Sequence, residues 1–169
     1  MARSGKQSSQ EMIRTIKEAY AHASDNKCCE HGVEIKIRKR SCTTIFKGER
    51  LASGSALKMC DCIVFHHNRV FLIELKSAHL NYNSIVEKFQ NSYRKSICML
   101  KSAAQRPSDV FFILVAKEYG NHYATQRLRC GFKISNKKCH IVLAGSGDRL
   151  DSVARPHLGV SFSGNDEKL

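Results

Sequence analysis

No apolar run in the 169-residue chain approaches the roughly 20 residues that a membrane-spanning helix needs. The basic opening MARSGKQSSQ leads into no apolar segment of the kind a secretory signal carries, so an intracellular location, cytoplasm or nucleoid, is expected. Internal repeats and low-complexity linkers are missing, which speaks against solenoids and tethered domain strings. None of the eight cysteines stands in the C-x₂-C spacing of a zinc ribbon. Gly145-Ser146-Gly147 lacks the Lys-Ser/Thr that completes a phosphate loop. Acids are scarce: 15 Asp and Glu face 28 Lys and Arg, leaving a net charge of +13.

What is present suits one folded domain. Apolar residues make up 42% of the chain, enough for a hydrophobic core at this length. A disulfide scaffold is not needed at that size, so most cysteines are expected reduced, several of them buried as small hydrophobes. The surplus of positive charge points to a polyanionic partner, with an unspecific basic surface as the ordinary alternative. The helices read as core-facing rather than exposed and amphipathic, which favours nucleic acid over a membrane surface.

The apolar spacing orders the elements. Residues 10–23 place Met12, Ile13, Ile16, Ala19, Tyr20 and Ala23 on one helical face. Residues 33–46 alternate as a strand with a basic outer side, 47–57 form a Gly- and Ser-rich loop, and 58–65 and 70–76 form a hairpin. A long helix over about 83–104 carries Val86, Phe89, Tyr93, Ile97, Leu100 and Ala104 as its apolar stripe. DVFFILVA (109–116) reads as a strand covered on both faces, 119–138 as basic and irregular with room for a short helix, and HIVLAG (140–145) as a last strand. The order α-β-β-β-α-β gives an α/β fold, a central mixed sheet flanked by helices.

Chemistry concentrates in the hairpin. Val70, Leu72, Glu74 and Lys76 share one face of its second strand, which therefore ends in a carboxylate and an amine. Asp61 falls on the facing row of the first strand, within reach of a metal shared with Glu74. Two carboxylates, the Leu75 carbonyl, a phosphate oxygen and water suit Mg²⁺. Lys76 would then position or deprotonate a water, or offset developing charge. An ordinary cross-strand ion pair is the alternative for an E-x-K triplet.

At Asp61 and Glu74-Leu75-Lys76 the chain resembles the PD-(D/E)xK nuclease superfamily, in layout most of all the archaeal Holliday junction resolvase branch. The order of parts is similar: an early Glu in EMIRTIKEAY (Glu11, with Glu18 as competitor), Ser53-Gly54-Ser55, Asp61, then E-L-K and a long helix. Cys60 stands where the motif's Pro usually is. Gln90 and Tyr93 miss the Q-x-x-x-Y spacing of RecB-like nucleases by one residue. Gln90 is carried either as a further site residue or as a solvated helix position. The resemblance implies a restriction-endonuclease-like domain over 10–150, between a flexible 1–9 and a weakly ordered tail at 151–169. It implies hydrolysis of DNA phosphodiesters, branched DNA included, with Mg²⁺ (Mn²⁺ substituting), and a homodimer. A catalytically silent nucleic-acid-binding subunit is the rival. Arg38, Arg40, Arg94, Lys95 and Lys101 are expected on the phosphate-tracking surface. Ser53 and Ser55 either touch the nucleic-acid backbone or form an ordinary turn.

Overall fold

A segment as apolar as DVFFILVA offers no wet face, and it forms one of the two longest strands of the protein. The computed structural model describes residues 4–120 and 122–157. Within them a six-stranded mixed sheet is built, in spatial order, from β1 (Ser24–Asp25), β4 (Thr43–Lys47), β5 (Cys62–His66), β6 (Arg69–Lys76), β7 (Asp109–Ala116) and β10 (Ile141–Gly145). Two small hairpins lie outside it: β2 (Cys28–Glu30) with β3 (Val33–Ile35), and β8 (Phe132–Ile134) with β9 (Lys137–Cys139). The helices are α1 (Ser4–Ala19), α2 (Gly48–Leu51), α3 (Tyr82–Ser102), α4 (His122–Cys130) and α5 (Leu150–Ala154).

Neighbouring strands from β1 to β6 are antiparallel, whereas β6, β7 and β10 run parallel. A parallel pair needs a crossover, and α3 provides it between β6 and β7. One sheet face packs Phe46, Ile63, Phe65, Leu72 and Phe112 with Ile16 of α1 and Phe89 of α3. The other packs Val64, Phe71, Ile73 and Val115 with Val33 and Ile35 of β3 and with Leu150 and Ala154 of α5. The α/β architecture expected from the sequence is present, and α1, β4, β5, β6, α3 and β7 follow the expected order. No described helix is long and apolar enough to cross a membrane.

Several local expectations are corrected. The first helix begins at Ser4, so residues 4–9 belong to it, and residues 1–3 lie outside the described part. The strand expected over 33–46 divides in two. Val33–Ile35 pairs with β2 through a His31-Gly32 turn whose φ angles are +48° and +72°. Tight hairpins favour that left-handed pair, and glycine adopts it freely. The following Arg38-Lys39-Arg40 run is solvent-exposed and belongs to no strand, and pairing resumes at Thr43. The loop at 47–57 holds the short α2, and 119–138 holds α4 and the β8–β9 hairpin. In the expected tail, residues 151–157 are helical and 158–169 lie outside the described part.

The buried face of α3 is Ile85, Phe89, Ser92, Ser96, Met99 and Leu100, rotated from the stripe expected through Val86, Tyr93 and Ile97. Six described cysteines are free; Cys28 and Cys62 form a buried disulfide that ties β2 to β5. Cys60 is fully buried, and its thiol is pushed up to about 12 by that burial, which keeps it inert.

Phe89 joins α3 to the sheet, with ring centroids 5.6 Å from Phe112 and 6.0 Å from Phe132. Phe89→Ala should cost ~3–5 kcal/mol through lost burial and a residual cavity. Urea unfolding should show a lower midpoint at unchanged slope; a loss below ~1 kcal/mol would contradict this packing.

Candidate active site

β6 stays apolar from Val70 to Ile73 and then places Glu74 on the α3 face with no exposed surface. Its Oε1 lies 2.7 Å from the Lys76 Nζ and 2.7 Å from the Lys88 Nζ of α3. Its Oε2 is buried without a hydrogen-bond partner. Lys88 also stands 3.7 Å from Asp61 Oδ1.

Asp61 is not inside a strand. The chain bends there, just before β5, which brings Cys60 onto the same core face as Ile63 instead of beside Cys62. Freed from the alternation, the Asp61 carboxylate accepts the Leu75 N–H at 2.6 Å and serves as that residue's sheet partner. The Asp61 carbonyl accepts the Gly48 N–H at 3.0 Å. Gly48 is required by space, since a Cβ there would lie 1.8 Å from the Cys60 carbonyl oxygen. The Cys60 N–H in turn donates to Ser92 Oγ at 2.9 Å, fastening the bend to α3.

Glu30 closes the group from the other face of the sheet. It ends β2, two residues after the disulfide-bonded Cys28, and shares a hydrogen bond with Asp61. Burial pushes the Glu30 carboxyl up, and the charge and hydrogen bond of Asp61 add to that. Burial likewise pushes Glu74 up, with the Asp61 charge adding; hydrogen bonds from Lys76 and Lys88 offset only part of it. For Lys88, burial pulls down, but the bond to Glu74 and the two carboxylate charges outweigh it, and the ammonium is held above its ordinary value. Glu30, His31, Asp61, Leu75, Lys76, Ser77, His79 and Lys88 line a cavity of about 280 Å³.

The structure thus brings together Asp61, Glu74, Leu75 and Lys76, and adds Glu30 and Lys88. Lys88 was legible only as one basic residue among many, although it lies three residues after Ile85 and four before Ser92 on the buried side of α3. Glu30 gave no sequence signal, because it arrives through a separate hairpin. Glu11 does not join: it is exposed and paired with Arg14 at 2.6 Å, and neighbouring Gln10 bonds Ser41 near the opposite end of the sheet. Glu18 is equally exposed, 3.9 Å from Arg14. Gln90 faces the β8–β9 hairpin, donating to the Lys133 carbonyl at 3.1 Å.

Ser53 and Ser55 are exposed turn residues, Ser55 Oγ bonding the Ala52 carbonyl. Arg38 and Arg40 line a different cavity, of about 270 Å³, with Arg69, Arg155 and His66 at the far end of the β5–β6 hairpin. The division of the 33–46 segment carries them there. In that basic setting burial, with His67, Arg40 and Arg69 nearby, lowers the His66 imidazole to about 4. Arg94 and Lys101 are exposed along α3, and Lys95 lies over the Tyr20 ring at 5.1 Å. The chain matches no protein-family model, no curated protein and no solved structure.

The Asp61 charge acts on Glu74 from beside it, and the unpartnered Glu74 Oε2 leaves one buried acceptor in the cluster. Folded Glu74 holds its proton more tightly than the unfolded chain does, whose carboxyl titrates near 4.5. Its contribution to stability is therefore full below that value and lost as pH rises through the raised folded pKa. Urea midpoints should fall across this acid window, and Glu74→Gln should flatten the fall. Parallel pH curves for the two proteins would contradict the assignment.

Proposed function

We propose that the protein is a Mg²⁺-dependent nuclease of the PD-(D/E)xK kind that hydrolyses phosphodiester bonds in DNA, with branched DNA as its substrate class. The observation that carries this reading is the Glu74 carboxylate, buried at a strand end with one oxygen unpartnered beside Asp61 and Lys76. The order α1, β4, β5, β6, α3, β7 around a mixed sheet supports a restriction-endonuclease-like fold. The net charge of +13 supports a polyanionic substrate. A homodimer belongs to the same reading, since paired copies place two sites on the two strands of a junction.

Asp61, Glu74 and the Leu75 carbonyl would hold the cation, with Glu30 beside them. A bound Mg²⁺ would supply Lewis acidity, polarising the scissile phosphate and lowering the pKa of water, and Mn²⁺ would serve in its place. Lys76 lines the cavity and is held by Glu74, where its ammonium would orient a nucleophilic water and offset developing phosphorane charge. Lys88 balances the charge of Glu74 and Asp61 before substrate arrives. That placement also favours a second reading, a nucleic-acid-binding subunit without catalysis, because Lys88 brings the two carboxylates the positive charge a cation would bring.

Single-turnover cleavage of junction, duplex and single-stranded DNA, with and without Mg²⁺, separates the two readings. Lys76→Ala should slow cleavage by a factor of ~10² to 10³ while leaving DNA affinity nearly unchanged. Asp61→Ala should abolish cleavage and keep binding. No Mg²⁺-dependent cleavage by the unaltered protein, or full activity of both variants, sinks the nuclease reading. Binding should also weaken with salt by roughly 0.9 log units per log unit for each phosphate contacted. A flat salt dependence would remove nucleic acid as the partner.

A further inference from the structure

At the opposite end of the β5–β6 hairpin, three side chains with metal-binding atoms converge. The pairing of β4 with β5 sets Thr43 against His66, so Cys42 comes beside His66 and the turn residue His67. The His67 N–H donates to the Cys42 carbonyl at 2.9 Å, which fixes the turn against the strand start. Cys42 Sγ lies 3.1 Å from His67 Nε2 and 4.0 Å from His66 Nδ1. One ligand atom from each of the three residues falls within 4.8 Å of the others, the one such group among the described residues.

The geometry points to a zinc site held by Cys42, His66 and His67. Zn–S bonds of ~2.3 Å and Zn–N bonds of ~2.0–2.1 Å at tetrahedral angles put sulfur and nitrogen ligands ~3.6 Å apart. The two observed sulfur–nitrogen separations bracket that value, and the two nitrogens lie within 4.8 Å of each other, so side-chain rotations can complete the set. Thiolate and imidazole are the ligands of a borderline-soft ion, and Mg²⁺ or Ca²⁺ would not select them. Cys42 is buried and releases its thiol proton to solvent as zinc binds, and the thiolate offsets part of the ion's charge beside Arg40 and Arg69.

His67 holds φ of +53°, in the left-handed region where Asn, Asp and His are enriched among non-glycine residues, and its ring lies against Cys42. Three protein ligands leave a fourth position open. His66 and Thr43 line the basic cavity with Arg38, Arg40 and Arg69, so that position is reached from the cavity and takes water or an anion. The Thr43 hydroxyl, 2.7 Å from His66 Nδ1, turns to this fourth ligand when the nitrogen binds the metal. The site is independent of the Asp61–Glu74 cluster.

Titration of the full chain with Co²⁺ under argon, without added thiol, reads the site directly. One equivalent should bring a sulfur-to-cobalt charge-transfer band and visible d–d bands of tetrahedral intensity, both displaced by Zn²⁺. Cys42→Ser removes the thiolate but keeps a hydrogen-bonding side chain, and it should abolish the charge-transfer band. His67→Asn preserves a residue suited to the left-handed turn, and it should weaken Co²⁺ binding at least tenfold. Circular dichroism confirms that each variant is folded, and either variant alone suffices if the other is not. Absence of the charge-transfer band in the unaltered protein, its persistence in folded Cys42→Ser, or unweakened Co²⁺ binding by folded His67→Asn overturns the site.

Discussion

A carboxylate removed from water costs several kcal/mol unless charge and hydrogen bonds replace its hydration. Glu74 meets that condition in part, with two ammonium groups on one oxygen, one from its own strand and one from the crossover helix, and no partner on the other. The requirement reaches beyond the site. α3 has to lie where Lys88 can reach Glu74, and the buried Ser92 and Ser96 give that helix a slim face against the sheet. Ser92 then holds the Cys60 N–H, which supports the bend that turns the Asp61 carboxylate onto the Leu75 N–H. Helix placement, strand start and acid cluster thus share one electrostatic constraint.

The two ends of the β5–β6 hairpin have opposite chemical character. At ~3.3 Å per residue, Arg69 and Lys76 stand about 23 Å apart along β6. One end gathers carboxylates neutralised by lysines; the other gathers arginines around two histidines and a cysteine. The net positive charge is therefore unevenly spread, and α3 carries Arg94, Lys95 and Lys101 away from the acid end.

Much of this was legible from contiguous signals. Asp109–Ala116 forms the strand its apolar run implies, and Glu74 and Lys76 stand at the end of a strand read from the same kind of run. The rest depended on information no single stretch contains. Binary patterning left Ser92 and Ser96 out of the buried stripe, although a small hydroxyl with a backbone partner is as easily buried as an alanine. That error rotated the helix and hid Lys88. Glu30 reaches Asp61 only because a disulfide and a two-residue turn bring a separate hairpin across the sheet. Glu11 followed a layout borrowed from other proteins, and here α1 sets it in solvent beside Arg14.

The bend at Asp61 also bears on how the chain closes on itself. Fourteen residues separate Asp61 from Leu75, and fourteen separate Glu74 from Lys88. The parallel pairing that covers Glu74 from β7 spans more, with 40 residues between the ion-paired Arg69 and Asp109. Loop entropy grows with the logarithm of length, so the longer closure costs ~0.9 kcal/mol more than either short one. The Asp61–Leu75 and Glu74–Lys88 contacts thus close over shorter loops than the parallel pairing that covers them.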